Sequence, residues 1–560
     1  MTNSFDKAKL ANALSSHTLK SATRFQYGTA GFRMEASLLD PVMFAVGLLA
    51  VLRSKYHKGK TIGVMVTASH NPEKDNGVKL VEPLGEMLVQ SWEGYATELA
   101  NATSSADAIT SALESIIAKE KIDLSQPARV VVARDTRPSG KALVASLVDG
   151  VQCLGGEIKD FGLFTTPQLH YVVRCINTAG TEDAYGEPTE EAYYEKLAAA
   201  FKKITAGYPR LSPLLIDGAN GIGAPAMEKL GKYLGDSFAY QLVNNDVVSS
   251  GKLNHESGAD FVKIKQTKPL GMDLKYGQRA CSLDGDADRI VFYFTEEDGT
   301  FRLLDGDKIA TLAADFIMDL AKQANILVQR EDGSKTPLHI GLVQTAYANG
   351  SSTAYVKDTL QVPVVFTPTG VKHLHHAAEE FDVGVYFEAN GHGTVLFSPA
   401  AIKAFKTSVG ATPAAEKAID ALRALTELIN QAVGDALSDM LLVEATLTYQ
   451  QKSFAKWNSD YTDLPSRQEK VKVANRANFV PIKADTELSH PIGLQEKINE
   501  QVAKFSKGRC FVRPSGTEDI VRVYAEAATR EETDRLCYLV CGLVFDGYGG
   551  VGTRPTTFLP

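Results

Sequence analysis

The chain has 560 residues, too many for a single hydrophobic core, so three or four domains are expected. It is 44% hydrophobic, 22% charged and 8% aromatic, the composition of an ordinary globular protein. Its net charge of −8, from 59 basic and 67 acidic residues, speaks against nucleic acid as a partner but still allows a local basic pocket for an anion.

Met1 to Lys20 mixes polar and apolar residues, and no run along the chain reaches the roughly 18 apolar residues of a membrane span. The expectation is a cytoplasmic protein with no membrane partner. Cys153, Cys175, Cys281, Cys510, Cys537 and Cys541 form no C-x-x-C pair, which points to free thiols in a reducing compartment. Cys537 and Cys541, four apart in an apolar helical stretch, are expected to be core packing.

Along the chain, apolar runs lead into polar or glycine-rich loops and then helices. Residues 62–67 (IGVMVT) run into ASHNP, 128–133 (ARVVVA) into RDTRPSG, and 214–217 (LLID) into GANGIGAP. Continuous β-branched runs of this kind suit strands buried between helices, and hence α/β domains with functional loops at the strand ends. The recurring pattern suggests a threefold repeat of the fold. The C-terminal part differs. A polar stretch over 458–470, an alternating run over 520–525 and an amphipathic helix from Arg530 predict a smaller α+β domain.

Four loops carry candidate chemistry. In Thr67-Ala68-Ser69-His70-Asn71-Pro72, Asn71 is expected to cap a helix with Pro72 at its first position. Ser69 would then sit at a helix N-terminus, where free N–H groups favour a phosphate; a plain capped turn is the alternative. Lys79 could add positive charge or a proton. In Asp284-Gly285-Asp286-Ala287-Asp288-Arg289, three carboxylates at alternate positions repel one another unless a cation sits among them, and Mg²⁺ suits such oxygen ligands. A calcium hand is excluded, because Arg289 stands where it needs Gly and Thr295 where it needs Glu.

In Glu388-Ala389-Asn390-Gly391-His392-Gly393, Glu388 and Asn390 can grip sugar hydroxyls, the glycines admit a ligand to the backbone, and His392 can move protons near neutral pH. A glycine-rich hairpin is the plain alternative. Arg513-Pro514-Ser515-Gly516-Thr517-Glu518, with Arg522, offers a guanidinium, two hydroxyls and backbone N–H groups for a phosphate, or a structural turn before a strand. Gly221-Ile222-Gly223 imitates a dinucleotide loop but lacks the acidic residue that closes one. His373, His375 and His376 are read as one face of a solvated helix.

These motifs, in this order, resemble the α-D-phosphohexomutase superfamily. TASHNP is similar to its phosphoserine loop, DGDADR to its metal loop, EANGHG to its sugar-specificity loop and RPSGTE to its phosphate loop. Arg33 in FGTAGFR and Arg137 in RDTRPSG also fit family positions. The stretch TASHNPEKDNGVKLVEPLGEML resembles the N-acetylglucosamine branch.

The resemblance implies three related α/β domains and a smaller α+β domain around a central cleft. The expected domains are 1–185, 186–304, 305–440 and 441–560. It implies interconversion of N-acetylglucosamine 6-phosphate and 1-phosphate through phosphorylated Ser69 and a hexosamine 1,6-bisphosphate, supplying UDP-N-acetylglucosamine synthesis. Mg²⁺ would lie on Ser69, Asp284, Asp286 and Asp288. Arg33, His70, Lys79 and His392 would serve catalysis. Glu388, Asn390, His392, Arg289, Arg513, Ser515, Gly516, Thr517 and Arg522 would bind the phosphosugar. A monomer or dimer is expected. The rival readings are a phosphoglucomutase or phosphomannomutase, an inactive phosphosugar-binding protein, and a metal-dependent phosphatase.

Overall fold

A computed structural model describes residues 4–19, 23–515 and 519–557. The chain forms two compact units. One runs up to Leu303 and includes Ala424–Gln451; the other takes Leu304 to Arg423 and the chain from Lys452 onward.

The first unit holds two five-stranded mixed sheets. In one, strands run in the order Phe32–Glu35, Asp75–Val81, Thr61–Val66, Arg129–Arg134, Glu157–Leu163. In the other the order is Phe301–Leu304, Ile290–Thr295, Arg279–Leu283, Leu214–Asp217, Tyr240–Val243. The second unit holds a four-stranded sheet ordered Val364–Thr367, Ile340–Thr345, Val383–Phe387, Gly393–Phe397. All three share one device. A parallel three-strand core carries an antiparallel neighbour joined to it by a hairpin: Thr61–Val66 to Asp75–Val81, Arg279–Leu283 to Ile290–Thr295, and Val383–Phe387 to Gly393–Phe397. The first three candidate loops are the turns of these hairpins. The expected recurrence is therefore real in topology, although no letters repeat.

The C-terminal part is an antiparallel sheet, ordered Ser466–Lys472, Ile520–Glu526, Arg509–Pro514, packed by helices Arg530–Gly547 and Leu494–Val502. Cys537 and Cys541 are buried in its core, as expected. Among the described residues no helix is long and apolar enough to cross a membrane.

Two expectations are corrected. No helix follows Pro72: the chain turns, with Asp75 N–H donating to Pro72 O at 3.0 Å, and enters strand Asp75–Val81. The Asn71 amide donates to the Asp75 carboxylate instead of capping a helix, because pairing of residues 75–78 with Phe32–Glu35 and of 78–81 with residues 63–66 overrides the local capping signal. Helix Val371–Ala378 exists, but it is not wholly solvated at its histidines, since His375 is buried with Nδ1 3.0 Å from the Tyr386 hydroxyl. In the first unit, helix Ala436–Gln450 is buried through Thr448 and packs on helix Glu190–Thr205.

In the first unit, buried Arg279 donates to Glu444 Oε1 at 2.6 Å and to Ser212. Burial pushes the Glu444 carboxyl up, and Arg279 opposes that rise. Arg279→Leu is expected to cost about 3–5 kcal/mol in chemical denaturation, because it strands a buried carboxylate. Adding Glu444→Leu should recover most of the loss.

Candidate active site

Ser69 is fully buried at the end of strand Thr61–Val66, with φ +52. For a residue with a side chain this left-handed backbone costs roughly 1–2 kcal/mol, so its surroundings must hold it. They do so from several directions. Ser69 N–H donates to Thr67 Oγ1 at 3.0 Å, and that hydroxyl donates to Asp135 at 2.7 Å. The Ser69 carbonyl accepts from Arg137 Nη2 at 3.0 Å and Asn254 Nδ2 at 2.8 Å. The Asn71 carbonyl accepts from the same two groups at 2.7 and 3.0 Å. Arg137 is in turn fixed by an ion pair to Asp135 and a 2.9 Å bond to Asp75 O. Held this way, Ser69 Oγ donates to Asp284 Oδ2 at 2.6 Å.

Asp284, Asp286 and Asp288 are buried, and one oxygen from each lies within 4.8 Å of the others. Among the described residues no other such acidic, histidine or cysteine group of three was found. The Asp288 and Arg289 N–H groups donate to Asp284 Oδ1 at 3.0 and 3.1 Å. Lys79 Nζ stands 3.3 Å from Asp286 and 3.1 Å from Asp288, and Thr166 Oγ1 donates to Asp286 at 2.6 Å. The remaining Asp286 oxygen, Oδ1, is buried without a hydrogen-bond partner. Gly285 permits the loop's approach to the serine, since a Cβ there would lie 2.4 Å from Ser69 O. Three buried oxygen donors, one of them unsatisfied, fit a hard divalent cation such as Mg²⁺.

The charges are strongly coupled. Burial, then Asp288 and Asp286, push Asp284 well above the carboxylate range. Burial and Asp288 also push on Asp286, but Lys79, Thr166 and Arg33 outweigh them and hold it low. Lys79 is raised: its burial is outweighed by Asp286 and Asp288. Arg33 is lowered by burial and by Arg289, and its Nε is buried without a hydrogen-bond partner. Burial and Arg289 press the His70 imidazole down to about 4. It is therefore neutral near pH 7, with Nδ1 accepting from Arg289 at 2.8 Å. Arg289 is oriented by Asp260 at 2.8 and 2.9 Å.

The second unit holds the other two loops. Gly391 N–H donates to Glu388 O, and Glu388 N–H to His392 O, both at 2.8 Å, so residues 388–392 form a tight hairpin turn. Glu388 and Asn390 are half-buried and His392 is buried. The loop rests on the start of helix Gly306–Ala324, where a Cβ on Gly306 would lie 1.9 Å from Glu388 O.

In the C-terminal sheet, Arg522 sits between Arg513 on one neighbouring strand and Lys470 on the other, in register. Like charges side by side are unfavourable unless an anion joins them. Asp485 accepts from Arg513 Nε at 2.9 Å and from Thr369 N–H at 2.8 Å. Ser515 is buried, with its N–H on Ile520 O at 2.9 Å. Gly516 and Thr517 lie outside the described residues.

The first unit brings together Arg33, Ser69, His70, Lys79, Arg289 and the three aspartates; the second carries Glu388, Asn390 and His392 on one turn and Arg513, Ser515 and Arg522 on the C-terminal sheet. Asn254, Thr166, Asp260, Tyr347 and Asp485 were not anticipated. The Tyr347 hydroxyl, raised by burial, has Arg513 and Arg522 beside it. Nothing in its sequence context marks it.

Comparison with known proteins identifies the family. Residues 183–291 match the model "Phosphoacetylglucosamine mutase AMG1, domain II", and 305–452 match domain III of the same family. Residues 50–107 and 97–182 match "Phosphoglucomutase/phosphomannomutase, alpha/beta/alpha domain I", and 469–541 match the C-terminal domain of that family. The phosphoacetylglucosamine mutase of Homo sapiens is 52% identical over 544 residues, spanning 96% of this chain and 97% of that protein. The Candida albicans enzyme is 48% identical over 548 residues, spanning 96% and 99%.

The Aspergillus fumigatus N-acetylphosphoglucosamine mutase, solved with GlcNAc-6P and magnesium, is 52% identical with a TM-score of 0.90, over 95% of this chain and 97% of that one. A serine-to-alanine variant of it, solved with glucose 1,6-bisphosphate, gives a TM-score of 0.91 at 52% identity over 97% and 99%. Four domain models in family order and relatives matched over nearly their whole length leave one assignment: the chain belongs to the phosphoacetylglucosamine mutase family, within the α-D-phosphohexomutase superfamily.

Proposed function

We propose that the chain interconverts N-acetylglucosamine 6-phosphate and N-acetylglucosamine 1-phosphate. The observation that carries this is the buried Ser69 hydroxyl, fixed on Asp284 of the three-carboxylate loop. In the resting enzyme Ser69 carries a phosphoryl group. The sugar's free hydroxyl oxygen attacks that phosphorus; the new O–P bond forms as the Ser69 Oγ–P bond breaks. The attacking hydroxyl gives its proton to a base, and Ser69 Oγ takes one up. The resulting hexosamine 1,6-bisphosphate turns about and returns its other phosphate to Ser69 by the reverse step. A trace of bisphosphate therefore also activates enzyme that has lost its phosphate.

Asp284, Asp286 and Asp288, with the Ser69 oxygen, would hold Mg²⁺, which when bound withdraws charge from the phosphoryl oxygens. Arg33 and Arg289 offset the negative charge that gathers there. Lys79, His70 and His392 are the proton-transfer groups. His70, neutral with Nδ1 engaged by Arg289, presents Nε2 for that work. Glu388 and Asn390 grip the sugar hydroxyls, with His392 beside them. Arg513, Ser515, Gly516, Thr517 and Arg522 hold the phosphate that is not reacting.

The domains read from the sequence are 1–185, 186–304, 305–440 and 441–560. The partner is a small phosphosugar, the chain works as a monomer or dimer in the cytoplasm, and its product feeds UDP-N-acetylglucosamine synthesis.

The test is a competition. With Mg²⁺ and a trace of hexose bisphosphate, the protein is offered the 6-phosphates of N-acetylglucosamine, glucose and mannose. N-acetylglucosamine 6-phosphate is expected to win by at least about tenfold in kcat/KM. Preference for glucose or mannose would keep the chemistry and overturn the branch. Steady release of inorganic phosphate would indicate a phosphatase.

A further inference from the structure

We propose that Asn254 is a positioning residue for the nucleophile, registering the serine loop against the metal loop. This rests on the reading of Ser69 as the phosphoryl carrier. Two side chains, Arg137 and Asn254, donate to the same pair of carbonyls, those of Ser69 and Asn71. They differ in where they are anchored. Arg137 is held by Asp135 and by the Asp75 carbonyl, both at the first sheet, which also carries the serine loop. It fixes the loop's shape within that sheet and conveys nothing about the carboxylates.

Asn254 is anchored at the second sheet. Its N–H donates to Ala219 O at 2.9 Å, in the turn after strand Leu214–Asp217. The same turn holds the metal loop, through Ile222 N–H on Gly285 O at 3.1 Å. Asp217, at the end of that strand, accepts from Ser282 Oγ and from Gly258 N–H, both at 2.7 Å, and so ties in the strand that leads to Asp284. A Cβ on Gly285 would lie 2.8 Å from Asn254 Nδ2 and 2.4 Å from Ser69 O, so the amide, the serine carbonyl and the metal loop meet at one point. Asn254 therefore carries the frame of the carboxylates across to the serine backbone, and that frame sets the 2.6 Å approach of Ser69 Oγ to Asp284.

Asn254→Ala is expected to fold, because Arg137 still satisfies both carbonyls. Its kcat should fall about 10- to 100-fold, the scale of a misplaced reacting group, with KM for N-acetylglucosamine 6-phosphate unchanged within about twofold. The rate at which Ser69 takes label from ³²P-glucose 1,6-bisphosphate should fall by the same factor. Asn254→Asp, which turns an oxygen toward the two carbonyls, should lose more. Ser250→Ala, which removes the hydroxyl bond from the same loop to Glu73 and leaves that of Gly251 N–H, should behave as wild type.

Unchanged kcat and labelling in Asn254→Ala, or wild-type activity in Asn254→Asp, would overturn the inference. So would a rise in KM together with a lowered melting temperature, or an equal loss in Ser250→Ala, since each describes general loosening. If wild-type enzyme turns over without labelling Ser69, the phosphoserine reading itself fails and the inference goes with it.

Discussion

Ser69→Ala is expected to lower mutase turnover by at least about 10⁴-fold and to abolish phosphoryl uptake from glucose 1,6-bisphosphate, read as intact-protein mass. Cleavage of phosphate monoesters without a catalyst is among the slowest reactions known, so no background rate can mask the loss. No neighbouring hydroxyl can stand in. Thr67 Oγ1 is committed to Asp135 and to the Ser69 N–H, and Thr166 Oγ1 to Asp286. The fold should survive, because Arg137 and Asn254 hold the backbone of this loop and not the hydroxyl. Phosphosugar binding should survive too, since Glu388, Asn390, Arg513 and Arg522 are untouched. Turnover that persists without label would place the phosphoryl carrier elsewhere.

The sequence reading reached the chemistry that local patterns can express. DGDADR was legible because three carboxylates between two apolar strands are unfavourable without a cation, and the structure gathers those oxygens within 4.8 Å. TASHNP was legible as a site but misread as a helix start, since strand Asp75–Val81 is decided by pairing and not by the residues that precede it. The RPSGTE cradle gained one neighbour that only sheet register brings in, Lys470, opposite Arg522, which Arg513 flanks on its other side. Asn254 and Thr166 left no signal, because each acts through one side chain on a loop far away along the chain. Helix Ala436–Gln450, buried through Thr448, likewise joins the metal loop across a long stretch of chain, its Ala436 N–H donating at 3.0 Å to Ala287 O.

Asp284→Asn is expected to abolish activity and yet stabilise the metal-free protein. The substitution keeps the shape of the site. An asparagine oxygen can still accept from the Asp288 and Arg289 N–H groups, and its amide can donate to Ser69 Oγ. It removes a buried negative charge that Asp288 and Asp286 oppose. Because the Asp284 carboxyl is raised in the folded chain, the folded state binds its proton more tightly than the unfolded state does. In metal-free wild type its contribution to stability is therefore full below the ordinary carboxylate range and is lost as pH rises through its raised folded value. At neutral pH the asparagine variant should be more stable by on the order of 1 kcal/mol. Addition of Mg²⁺ should reverse the ranking, since a ligand that binds only the folded state stabilises it by RT ln(1 + [L]/Kd), and a site with one fewer carboxylate binds the ion more weakly. Melting curves with chelator and with Mg²⁺, on both proteins, measure this directly. Chelator should also silence wild-type turnover, and excess Mg²⁺ should restore it. A variant less stable than wild type without metal, or equally stabilised by Mg²⁺, would show that Asp284 serves the fold and not the ion. The strain in this loop is the expected signature of a site built around a cation: charges that destabilise the metal-free protein are the ones that would hold the ion.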